Sequence, residues 1–189
     1  MAHGAPARDR YTSEQYFALV DDGVLGPEDR VELLEGVIVT VAPANPRHTV
    51  VTHQVADLLR AAVGDKAVVR VQSSLRAGVR SVPEPDVAVV VGRHADYIRA
   101  HPTTALLVVE VADSSLAQDR ITKTAIYAGA GVPEYWIVNL RDDVVEIHRA
   151  PDPETRRYVD RRLASRSEHI DVAAFPGVSI AVADLVPAS

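Results

Sequence analysis

Four positions place charged side chains where the surrounding residues are apolar. Glu84-Pro85-Asp86 immediately precedes Val87-Ala88-Val89-Val90-Val91, which puts a carboxylate at the mouth of a strand-like run. Glu110 closes Leu106-Leu107-Val108-Val109 and is flanked by Val111, so it is expected to be at least partly buried. A buried carboxylate costs several kcal/mol unless something offsets the charge. A divalent cation shared with a second carboxylate is one such offset. Lys123 stands downstream with Asp119 four residues before it, so on a helix the two share a face and could pair. Glu32 alternates with Val31 and Leu33 and points to the opposite side from them.

Each residue also has a structural reading. Asp86 could cap a turn after proline, and Glu110 could accept backbone N–H groups at a strand end. Lys123 could be a solvated helix residue, and Glu32 could serve the surface or a hairpin.

The elements that must position these groups follow from periodicity. Thr12 and Gln15 have the spacing of a capping box and open a short helix through about Val20, broken at Asp22-Gly23. Arg30–Leu34 and Val37–Ala42, joined at Glu35-Gly36, form a hairpin that Pro43 and Pro46 terminate. From His48, Val51, Val55, Leu58, Leu59 and Ala62 recur at helical spacing up to Gly64. Val68–Gln72, Val87–Val91 and Ala105–Val111 follow as strands, with runs apolar enough to be covered on both faces. A second long helix spans about Leu116 to Ala128. Glu134–Asn139, Val144–His148 and Tyr158–Leu163 are further strands, and the tail AVADLVPAS ends in one helical turn. The order is that of an α/β fold, a mixed sheet with helices packed on it. Residues 1–10 are expected to be a disordered lead-in, and residues 11–189 one domain.

Composition narrows the chemistry. There is no cysteine among 189 residues, which excludes disulfides, thiolate metal sites and thiol nucleophiles and suits a cytoplasmic setting. No apolar stretch approaches the ~20 residues of a membrane span, and the first ten lack a signal peptide's apolar core. The seven histidines show neither HxH nor HExxH spacing, and oxygen donors suit Mg²⁺ or Mn²⁺ better than zinc. No GxSxG, GxxxxGK[ST] or GxGxxG occurs. The net charge of −6 gives no global attraction to nucleic acid. Arg156, Arg157, Arg161, Arg162 and Arg166 could still form a local basic face, or a solvated edge strand and turn.

The segments PEPDVAVV, LLVVEVADSS and QDRITKTAIYAGAGVPEYWIVNL together resemble the signature of the Uma-two family of "putative restriction endonucleases", a bacterial branch of the PD-(D/E)XK superfamily. The likeness reaches upstream through His48 and RVELLEGVIV and downstream to FPGVSIAVADL, roughly Tyr11 to Leu185, and GVPEYWIV is its most specific piece. It implies a restriction-endonuclease-like mixed sheet flanked by helices, with an N-terminal helix and hairpin. It makes Pro85-Asp86 the PD pair and Glu110 the second acid. The superfamily's lysine two residues after that acid is Ala112 here, and the resemblance passes its role to Lys123 on the next helix. Asp113-Ser114-Ser115 replaces the family's Ser-Pro-Ser, and Asp113 is expected to cap the following helix. His48 is expected at the start of its helix and could stand near the pocket of these acids, whereas Gln72, on the strand before Asp86, is read more readily as structural than as a supporting polar group there.

The implied activity is a Mg²⁺-dependent DNA endonuclease, with the metal held by Asp86 and Glu110, Lys123 assisting and Glu32 a further catalytic candidate. The alternative is a nuclease-fold binding module with little turnover. A homodimer could form through EYWIVN or VVEIH.

Overall fold

In the computed structural model, residues 10–186 are described. Most of the expected lead-in therefore lies outside the described residues. Arg10 is inside them and binds back on the hairpin turn, its Nη1 donating to the Glu35 carbonyl at 3.3 Å.

Helix α1 (Ser13–Asp21) begins at the expected capping box, with Thr12 and Gln15 each bonding the other's backbone. Strands β1 (Val31–Leu34) and β2 (Val37–Thr40) form an antiparallel hairpin. Its two-residue turn holds Glu35 at φ 54° and Gly36 at φ 79°, the left-handed pair a tight hairpin requires. Helix α2 (Pro46–Val63) is capped by Asn45, starts with proline at its first position and ends at Gly64.

The main sheet has six strands in the order β3 (Val68–Val71), β4 (Val87–Val90), β5 (Leu107–Ala112), β6 (Glu134–Asn139), β7 (Val144–Asp152) and β8 (Arg157–Ser165). All neighbours are antiparallel except β5 and β6, whose parallel pairing requires a crossover. That crossover is the second helix, and it is not uniform. It runs α3 (Leu116–Gln118), a π turn (Asp119–Lys123) and α4 (Thr124–Gly129).

Side-chain alternation divides the core between the two faces of the sheet. Val87, Val89, Leu107, Val109 and Trp136 face α2, with Val51, Val55 and Leu59 packed on them. Ala88, Val90, Val108, Tyr135 and Ile137 face α3 and α4, with Leu116, Ile126 and Tyr127. A small hairpin, β9 (His169–Asp171) with β10 (Ser179–Ala181), precedes the terminal turn α5 (Val182–Leu185).

Two expectations are corrected. EYWIVN and VVEIH cannot serve as pairing surfaces for a second copy, because β6 and β7 have strands on both sides. Asp113 does not cap α3. Its carboxylate accepts instead from Asn45 Nδ2 at 2.8 Å, tying the loop after β5 to the start of α2.

Candidate functional site

The register of β4 on β5 pairs Val87 with Val109, so one further step brings Asp86 opposite Glu110. Glu110 lies between Val108 and Ala112, both on the α3/α4 face, and Asp86 shares the parity of Ala88 and Val90 on that face. The two acids therefore meet at the end of neighbouring strands, and they are 8% and 3% exposed respectively.

Three donors grip Asp86. His48 Nε2 lies 3.1 Å from Oδ2, the Val111 N–H donates to Oδ2 at 2.9 Å, and Gln72 Nε2 donates to Oδ1 at 3.3 Å. His48 enters from the first turn of α2, the element on the other side of the sheet. Gln72 sits just past β3 at φ 42°, and its N–H also bonds the Asp86 carbonyl at 3.1 Å. Burial alone would push the Asp86 carboxyl up. The His48 hydrogen bond and charge, the Val111 N–H and Lys123 outweigh burial and hold it below its ordinary value. The same contact with Asp86 raises His48.

Glu110 is differently placed. Its Oε1 accepts from Lys123 Nζ at 3.0 Å and from the Tyr127 hydroxyl at 2.6 Å. Lys123 Nζ also lies 3.2 Å from Glu32 Oε1, which in turn accepts the Glu84 N–H at 2.6 Å. Burial drives the Glu110 carboxyl well above its usual range. Lys123 opposes that shift, while Asp119, Asp86 and Glu32 add to it. Burial drives Asp119 up to about 6, against the pull of Lys123 and the Ser115 hydroxyl. Lys123 would be lowered by burial, yet the surrounding carboxylates raise it, so it is charged.

The π turn decides this pairing. Uniform α-helical geometry would set Asp119 and Lys123 on one stripe, but the Thr124 N–H reaches back five residues to the Asp119 carbonyl. The Thr124 hydroxyl and the Tyr135 hydroxyl share that carbonyl, at 2.8 and 3.2 Å. Asp119 consequently takes the Ser115 hydroxyl at 2.6 Å, and Lys123 turns to Glu110 and Glu32. The expected Asp119–Lys123 pair is thus replaced.

These groups line one cleft of about 790 Å³ beneath the β1–β2 hairpin. It brings together Asp86, Glu110, Lys123 and Glu32, with His48, Gln72, Glu84 and Asp119. The surface reading of Glu32 does not hold, since it is 3% exposed and faces Lys123. Asp119 and Tyr127 were missed as members of the Glu110 cluster. Tyr127 had a visible signal, lying four residues after Lys123 on a helix. The arginines of residues 156–166 lie elsewhere, on and beside β8 at the far edge of the sheet. Arg156 pairs with Glu35, and Arg162 with Glu168 at 3.2 Å.

The cleft contains Glu32, Glu84, Asp86, Glu110, Asp113 and Asp119 against Arg30, His48 and Lys123. Four of these acids, Glu32, Asp86, Glu110 and Asp119, are buried, and such a surplus of negative charge beside one buried lysine is costly and invites a cation. Among the described residues, however, no three His, Asp or Glu side chains converge as a ready-made metal cage.

Two comparisons bear on this arrangement. The structure resembles the crystal structure of a putative nuclease belonging to DUF820 from Anabaena variabilis ATCC 29413. The TM-score is 0.74 at 15% identity, over 92% of this chain and 96% of that one, a likeness of fold. No curated relative matches. A family model, Uma2, described as "Putative restriction endonuclease", matches residues 13–183 and so takes in every strand and every side chain of the cleft. The chain belongs to the Uma2 family.

Proposed function

We propose that the protein is a Mg²⁺- or Mn²⁺-dependent DNA endonuclease that hydrolyses phosphodiester bonds at this cleft, with Asp86 and Glu110 as the metal-holding pair. The observation that carries the reading is the unbalanced charge on the α3/α4 face. Glu32, Glu110, Asp86 and Asp119 all act on one buried lysine, and burial pushes Glu110 and Asp119 up in spite of it.

The donors fit a hard divalent ion. They are oxygens, and Mg²⁺ is commonly held by one or two carboxylates while keeping several waters, so a closed cage is not required. Glu110 takes both of its hydrogen bonds on Oε1, and no hydrogen bond among the described residues reaches Oε2. Once bound, the ion would supply Lewis-acid polarisation of the phosphoryl group and a more acidic water.

The chain's own residues have separate tasks. His48, Gln72 and the Val111 N–H fix the Asp86 carboxylate, so its orientation is set before any ligand arrives. Lys123, held charged between Glu110 and Glu32, places a positive group beside the phosphate and stabilises charge building there. Glu32 anchors that lysine and, through the Glu84 N–H, the chain leading into Asp86. Its part in catalysis is positional.

A second reading keeps the fold with little turnover, as a binding module. It is favoured by Ala112 at the superfamily's lysine position and by the acid-rich lining of the cleft. Incubation of supercoiled plasmid with Mg²⁺ or Mn²⁺ separates the two. The nuclease reading expects metal-dependent nicking that disappears in Asp86→Ala and Glu110→Ala. Nicking that survives both substitutions would reject this site, and no nicking under either metal would favour the binding module.

A further inference from the structure

Strand β8 is nine residues long and ends the main sheet, and no strand among the described residues pairs with its outer side. A long open edge is a template for another strand, and proteins usually blunt such an edge with charge. Here the residues do not simply repel. Val159 is 78% exposed and Leu163 is 64% exposed, with Asp160, Arg161 and Arg162 between and beside them.

A two-fold axis perpendicular to the sheet would extend it through two antiparallel copies of β8 and keep each residue opposite one of the same face. Odd-numbered residues must then meet odd-numbered ones. With Arg161 on the axis, Val159 stands opposite Leu163 and Asp160 opposite Arg162, each pair occurring twice. Moving the centre one residue either way sets Asp160 or Arg162 opposite its own copy and breaks the apolar match. Asp160 forms no ion pair among the described residues, whereas Arg162 already touches Glu168 at 3.2 Å and would lie between that acid and Asp160 of the second copy. The one unfavourable meeting is Arg161 against Arg161, on the side of the sheet that carries His148. The opposite edge of the sheet, β3, is only four residues long.

We propose that two copies of this chain associate through β8, antiparallel and centred on Arg161, so that the two sheets become one. The interface lies at the other end of the sheet order from β4, and nothing in it depends on the nuclease reading.

Sedimentation equilibrium of the full chain tests the proposal, with circular dichroism confirming that each variant is folded. The expected result is a concentration-dependent dimer. Asp160→Arg and Arg162→Asp should each weaken it by roughly tenfold or more, and the double variant should recover it. Arg161→Thr should tighten it. A wild-type chain that is monomeric throughout would overturn the proposal, as would a dimer indifferent to the single reversals. A double variant no tighter than either single one would do the same.

Discussion

Two buried carboxylates stand on adjacent parallel strands and live in opposite electrostatic circumstances. Glu134, on β6, is fully buried and fully matched. Its Oε1 accepts from Trp136 Nε1 at 2.9 Å and Arg149 Nε at 2.8 Å, and its Oε2 accepts the Ala173 N–H at 2.8 Å. One acid meets one guanidinium, and the remaining lone pairs have donors. Glu110, on β5, shares its single lysine with Glu32 and feels Asp86 and Asp119 as well. Glu134 lies on the α2 face with Trp136, and Glu110 on the α3/α4 face with Val108. The difference separates a carboxylate that closes a structure from one that leaves charge unsettled. Within GVPEYWIV the glutamate and the tryptophan thus form a structural clasp.

The largest effect expected from breaking the contrast is on turnover. Glu110→Gln should lower plasmid nicking by roughly 10³-fold, the scale of losing a group that stabilises transition-state charge. Glu32 still pairs Lys123 when Glu110 is replaced, so the same change should cost less unfolding stability than loss of the carboxylate that faces Arg149. Glu134→Gln should do the reverse. It leaves Arg149 beside a neutral partner and should cost about 4 kcal/mol in urea unfolding, with turnover per folded molecule intact. Equal loss of stability in the two variants would erase the distinction.

A third buried group sharpens it. His148 on β7 is 1% exposed, neither ring nitrogen has a hydrogen-bond partner among the described residues, and it packs against Tyr135 and Tyr158. Burial lowers it to about 4, with Arg161 adding to the shift. The unfolded chain binds that proton near 6.5, so the neutral ring contributes stability fully above that pH. The contribution is lost as pH falls toward 4. His148→Phe should recover on the order of 3 kcal/mol at the acid end and flatten the pH profile of stability there. Parallel wild-type and variant profiles would show that another group carries the acid limb.

Much of the fold was legible. The apolar runs of β4 and β5 are covered on both faces as their sequences imply, and the Val51-Val55-Leu59 stripe lies on the sheet. Asp86, Glu110, Lys123 and Glu32 were marked by charge in apolar surroundings, and burial confirms the anomaly at each. What escaped was non-local or irregular. The π turn moved Lys123 off Asp119 because three hydroxyl and amide donors converge on one carbonyl, a condition spacing does not encode. The β9–β10 hairpin is three residues a side, too short for a periodic signal. Asp113 looked like a cap until Asn45, 68 residues away in sequence, claimed it.

The most direct measurement is calorimetric titration of Mn²⁺ into wild type, Glu110→Gln and Glu134→Gln, with no DNA present. An unsettled acid pair predicts binding by wild type and by Glu134→Gln, and none by Glu110→Gln. Binding by Glu110→Gln with the affinity of wild type, or no binding by wild type, would contradict the assignment of the cleft.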